Sequence, residues 1–145
     1  MVIKLKIYYI FNIRRNVYDL YKSTPSVLYN FFYQLYVSNK EDLNIANSVF
    51  KEIANKYNKE FLDLKIYIKM HNKYKYLKKG ENHIINDLFK NEISIMKVKN
   101  SYIVINSNNA YTEFFSILGN FYKECLVCDF NNQKYFYLTS IKTLV

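Results

Sequence analysis

A chain of 145 residues, half of them hydrophobic and 19% aromatic, is long enough to bury one core without disulfides or metals and too apolar to stay disordered. Its 2 Gly and 1 Pro exclude long flexible linkers and an all-β fold rich in tight turns. The formal charge of +9 attracts acidic surfaces and nucleic acid, but Arg14 and Arg15 are the only arginines, and sequence-specific reading of DNA favours the bidentate Arg fork.

The opening MVIKLKIYYIFNI is apolar, yet Lys4 and Lys6 interrupt it and no small-x-small cleavage site comes after it, so it reads as structure rather than a signal peptide. No stretch reaches the roughly 18 apolar residues that span a bilayer. With two cysteines in no framework spacing, the expected compartment is the reducing cytoplasm, with no membrane association.

Ile3, Leu5, Ile7, Tyr9, Phe11 and Ile13 alternate with more polar neighbours, and the later positions are apolar on both faces, which predicts a buried strand. Val17, Leu20 and Tyr21 have the spacing of one or two helical turns. Thr24 and Pro25 start a helix, because Pro has no amide hydrogen to lose in the first turn. Val27, Leu28, Phe31, Phe32 and Leu35 give that helix its apolar stripe. A second helix is expected from Lys40 to Asp42 onward, with Leu43, Ala46, Val49, Phe50, Ile53 and Tyr57 on one side.

From Glu60 to Lys79 both periods are present, and helix is the preferred reading, with Gly80 as its stop. Asn82 to Lys90 reads as one short helix. Glu92 to Lys99 and Ser101 to Ser107 form a hairpin turning at Asn100, with a bulge where the apolar phase shifts between Ile95 and Met96. Asn108 to Tyr122 is read as a helix with Tyr111, Phe114, Phe115 and Leu118 on one face. Glu124 to Phe130 and Gln133 to Leu138 close the chain as a hairpin, with Asn131 and Asn132 tolerating the positive φ of its turn. The expected fold is one α+β domain over residues 1–145, with helices packed on a largely antiparallel sheet in the order β-α-α-(α)-β-β-α-β-β.

Catalytic motifs are missing from this pattern. Cys125 and Cys128 form CxxC inside a strand, where residues three apart face opposite ways, so a redox pair is not expected. A structural zinc site would need two further ligands beyond these two. His71 and His83 have no local nucleophile and carboxylate, and with Gly only at 80 and 119 there is no phosphate-cradling loop. The run KYKYLKK, Lys73 to Lys79, mixes cations with rings, and it supports an alternative reading as a nucleic-acid-binding surface.

The segments YYIFNI (Tyr8 to Ile13), SVLYNFF (Ser26 to Phe32), FFSIL (Phe114 to Leu118) and CLVCDFNNQKYFYL (Cys125 to Leu138) give the chain a resemblance. It resembles the bacterial sporulation inhibitors of replication, the SirA family of endospore-forming Firmicutes. The resemblance implies a cytoplasmic, non-enzymatic regulator with no cofactor, metal or small-molecule substrate. It implies one protein partner, the N-terminal domain of the replication initiator DnaA, and arrest of new replication rounds.

By position, Tyr21 matches a family tyrosine that touches the initiator, and Val17 stands where the family has a phenylalanine, leaving a smaller anchor. Arg15 and Tyr18 adjoin them and are residue types that anchor interfaces. On the second helix the alignment slips by one residue, onto Lys51 and Asn55. The residues alone leave open a second role for Val17, Leu20 and Tyr21, sealing the edge of the sheet.

Overall fold

The computed structural model describes residues 4–38 and 48–140. The expected strand start at Ile3, and the helix start at Lys40 with Leu43 and Ala46, lie outside the described residues. The elements run β1 (Lys6–Ile13), α1 (Arg15–Tyr21), α2 (Pro25–Ser38), α3 (Ser48–Ile53), β2 (Ala54–Asn55) and α4 (Lys59–Met70). They continue as β3 (Tyr76–Lys79), β4 (Asn82–Asp87), β5 (Glu92–Val98), β6 (Ile103–Ser107), α5 (Glu113–Gly119), β7 (Cys125–Asp129) and β8 (Lys134–Tyr137). The fold is α+β, built on one eight-stranded sheet ordered β3-β4-β5-β6-β1-β7-β8, with β2 paired to β1. Every pairing is antiparallel.

β1 is apolar on both sides because both sides are covered. Tyr8 and Ile10 join one core with Leu62, Ile66 and Met70 of α4 and Phe114, Phe115 and Leu118 of α5. Phe11 and Ile13 join the other with Val17 of α1, Leu28 and Phe32 of α2 and Phe50 of α3. The second core is aromatic at its centre: Phe11 and Phe32 stack with centroids 3.9 Å apart, and Phe50 meets both edge-on. Fully burying one such ring contributes about 1.5–3 kcal/mol.

α2 begins at Pro25 as expected, but its buried side is Leu28, Tyr29 and Phe32, and Val27 is exposed. Between Glu60 and Lys79 the chain is first helix and then strand. The Asn58 side chain caps α4 by accepting from the Phe61 amide at 3.2 Å. After Met70 the chain loops back into β3.

Three expectations about helices fail against the structure. Gly80 does not end a helix; at φ +60° it makes, with Glu81, the two-residue turn joining Lys79 to its partner Asn82. Asn82 to Lys90 is not a helix but β4 and a turn, because His83, Ile85 and Asp87 are buried while Asn82, Ile84 and Asn86 are more open, a period of two. Asn108 to Tyr122 is helical only over α5, because the preceding asparagines bind backbone instead. Asn108 accepts from the Ile93 amide and donates to the Asn91 carbonyl, and the Asn109 side chain accepts from the Tyr111 amide.

The hairpin of β5 and β6 forms as expected, without the bulge. Its register is unbroken from Ser94↔Ser107 to Val98↔Ile103. The apparent phase shift arises because Ser94 takes a core-facing position in line with Met96 and Val98. The β7–β8 hairpin also forms as expected, but the residue at positive φ is Gln133 rather than either asparagine.

Candidate functional site

Arg14 lies between β1 and α1 and fixes the start of α1. Its backbone amide donates to the Ile53 carbonyl at 2.9 Å and its guanidinium to the Lys51 carbonyl at 2.8 Å. Asn12 and Ile13 pair with Asn55 and Ala54. These bonds set Arg14, at the start of α1, against the Lys51 carbonyl 37 residues on along the chain, while Tyr18 and Tyr21 lie toward β8, where they meet Tyr137.

α1 has two turns and seats itself on the sheet mainly through Val17, which is 7% exposed. The resemblance puts Val17 at the contact surface; the structure puts it in the core, where it supports the helix from beneath. Tyr18 is half-buried and meets Tyr137 edge-on at 5.0 Å. Tyr21 is half-buried, and its carbonyl accepts from the Tyr137 hydroxyl at 2.8 Å. Burial pushes the Tyr137 phenol up to about 12, so it stays a neutral donor at ordinary pH.

Arg15 is exposed but held, by Glu124 at 2.8 Å and by Asp19 at 3.5 Å. Lys51 and Asn55 are exposed. Leu20, a candidate for sealing the sheet edge, is 74% exposed instead, because so short a helix reaches the sheet with little more than one side chain. The result is a small surface with an open leucine, two partly covered rings and a mixed-charge rim. That chemistry suits protein contact, in which aromatic and aliphatic anchors are ringed by polar groups.

The remaining reactive side chains are structural in their placement. Cys125 and Cys128 lie in opposite cores, as the strand period requires, and burial pushes the Cys125 thiol up to about 12. His83 is fully buried between the Tyr76 hydroxyl at Nδ1, 2.8 Å away, and the Asp63 carboxylate at Nε2, 2.7 Å away. Burial outweighs Asp63 and lowers the His83 pKa, so the neutral ring accepts from Tyr76 and donates to Asp63, fastening the β3–β4 hairpin to α4. No sequence motif announces this chain of three, since Asp63 is 20 residues from His83.

The run Lys73 to Lys79 is split by the fold. Tyr76 is buried, Lys75 pairs with Glu113 and Asp87, and Lys78 donates to the Gly80 carbonyl. Among the described residues no three His, Cys, Asp or Glu side chains are grouped to hold a metal ion, and no helix is long and apolar enough to cross a membrane.

Comparison with known proteins places the chain. A search of curated proteins finds no match. The family model of the sporulation inhibitor of replication protein SirA matches residues 6–142, from the first residue of β1 to beyond the last described residue. That span takes in both cores and every described element, and the chain belongs to the SirA family of sporulation inhibitors of replication.

Proposed function

We propose that the protein restrains chromosome replication during sporulation by binding the N-terminal domain of the initiator DnaA through α1 and the adjoining end of α3 and β2. Membership of a family of replication inhibitors supplies the process. The observation that carries the surface is the open Leu20 and half-buried Tyr21 on a helix pinned at both ends, by Arg14 and by Tyr137. A pinned helix loses little conformational freedom on docking, so a few side chains suffice for affinity. The mechanism is occlusion: a domain of this size seated on the initiator covers a face needed for assembly or for another partner. This is a regulator's action in the cytoplasm, and it calls for no reaction.

Isothermal titration of the full chain against the isolated N-terminal domain of the initiator tests the surface. Leu20→Ala and Tyr21→Ala leave the hydrogen bond from Tyr137 intact, because it is to a backbone carbonyl. Each is expected to weaken binding about tenfold or more while leaving the unfolding midpoint near that of the unsubstituted chain. Unchanged affinity in both variants would remove α1 from the interface. Tyr18→Ala is a poorer probe, since it also unpacks Tyr137.

A further inference from the structure

On the sheet face opposite α1 and α3, a cleft of about 640 Å³ opens between the end of α4 and the outer side of α5. Its size falls within the roughly 300–1,000 Å³ of small-molecule sites. Buried Met70 and Ile117 supply apolar floor. Its charged groups are four lysines, Lys69, Lys73, Lys75 and Lys90, and two carboxylates, Glu92 and Glu113.

Both acids are hydrogen-bonded within the protein. Glu92 is 2% exposed and accepts from the Ser94 hydroxyl at 2.6 Å, the Thr112 hydroxyl at 2.7 Å and the Glu113 amide at 3.1 Å. Glu113 pairs with Lys75 at 2.5 Å. By contrast Lys69, Lys73 and Lys90, which also line the cleft, have no carboxylate within 4 Å among the described residues. With four lysines against two carboxylates in its lining, the cleft keeps a net positive charge, and Lys69, Lys73 and Lys90 carry it at the exposed rim.

One ring belongs to the same cleft. Tyr111 is 62% exposed and stacks on no other aromatic side chain among the described residues, in a protein whose other tyrosines are mostly packed in ring clusters. Its backbone amide donates to the Asn109 side chain at 2.9 Å, which fixes the point from which the ring projects. An open ring beside unpaired cations fits a ligand with a flat ring at one end and phosphates at the other. Ring stacking and ammonium–phosphate attraction then add without competing for the same atoms.

We propose that this cleft binds a nucleoside polyphosphate, its base on Tyr111 and its phosphates among Lys69, Lys73 and Lys90. The site stands apart from the initiator-binding surface and does not depend on it. No sequence motif marks it, because its residues come from α4, the loop before β3, the β4–β5 turn and α5 with its leading loop.

The test is a titration of the full chain alone, in low salt, with ATP, GTP, inorganic tripolyphosphate, adenosine and a twelve-residue oligothymidylate. Saturable binding of ATP or GTP is expected, with tripolyphosphate weaker and adenosine undetectable. The triple variant K69A/K73A/K90A alters only exposed side chains and is expected to lose at least about tenfold in affinity. Tyr111→Ala is expected to lose about fivefold or more for ATP or GTP and nothing for tripolyphosphate. No saturable nucleotide binding at millimolar concentration would overturn the proposal. So would nucleotide affinity that the variants leave unchanged, or oligothymidylate binding without ATP or GTP binding, which would assign the cleft to a nucleic-acid strand.

Discussion

Phe32→Ala is expected to lower the unfolding free energy by about 3–5 kcal/mol, the range for emptying a fully buried aromatic site. Phe32 is completely buried and is the ring through which α2, α3 and β1 meet, stacked on Phe11 and edge-on to Phe50. Its removal leaves a hole that Phe31, already edge-on beside it at 5.2 Å on the same helix, cannot fill without turning α2. The cost extends to function. Phe50 anchors α3, and α3 carries the Lys51 and Ile53 carbonyls that hold Arg14 and so the start of α1. Urea denaturation followed by circular dichroism checks the size of the loss, and a midpoint equal to that of the unsubstituted chain would refute the packing argument.

Glu92→Ala is expected to destabilise by about 2–4 kcal/mol, because three donors lose a charged acceptor and one of them, the Glu113 amide, is left unpaired. One carboxylate oxygen takes the Ser94 and Thr112 hydroxyls, and the Glu113 amide donates to the same group. Thr112 in turn accepts from the Phe114 amide and so caps α5. Loss of the carboxylate leaves the two hydroxyls to turn on each other across 2.8 Å and leaves the Glu113 amide unpaired. Glu92→Gln keeps an acceptor oxygen and is expected to cost less than half as much. Hydrogen exchange should locate the loosening at α5 and its entry. Equal stability of the alanine and glutamine variants would mean that the cluster is not held by the carboxylate.

The features legible in the residues are local and apolar. The two-sided apolar run of β1, the Thr24-Pro25 helix start and both C-terminal hairpins come from periods and turn residues that neighbours in sequence determine. β4 reads wrongly as a helix because its core-facing positions include His83 and Asp87, whose burial depends on Asp63, Tyr76 and Lys75 from other elements. α5 reads too long because Asn108 and Asn109 bind backbone that only the folded β5–β6 hairpin presents.

The candidate surface is legible in part for the same reason. Periodicity identifies Val17 and Tyr21 as one side of a short helix, without showing that Val17 faces the core and Leu20 the solvent. That Arg14, at the start of α1, meets the Lys51 carbonyl depends on the pairing of Asn12 with Asn55, a contact across most of the α-helical first half. The cleft between α4 and α5 depends entirely on such distant contacts, and nothing in the order of its residues announces it.

The most direct test of the account is a footprint: amide shifts of the isotope-labelled chain as the unlabelled N-terminal domain of DnaA is added. Perturbations concentrated on residues 15–22 and 51–55, with α4 and α5 undisturbed, are the predicted result. Binding that shifts α4 and α5 while leaving α1 unchanged, or no binding at all, would contradict it.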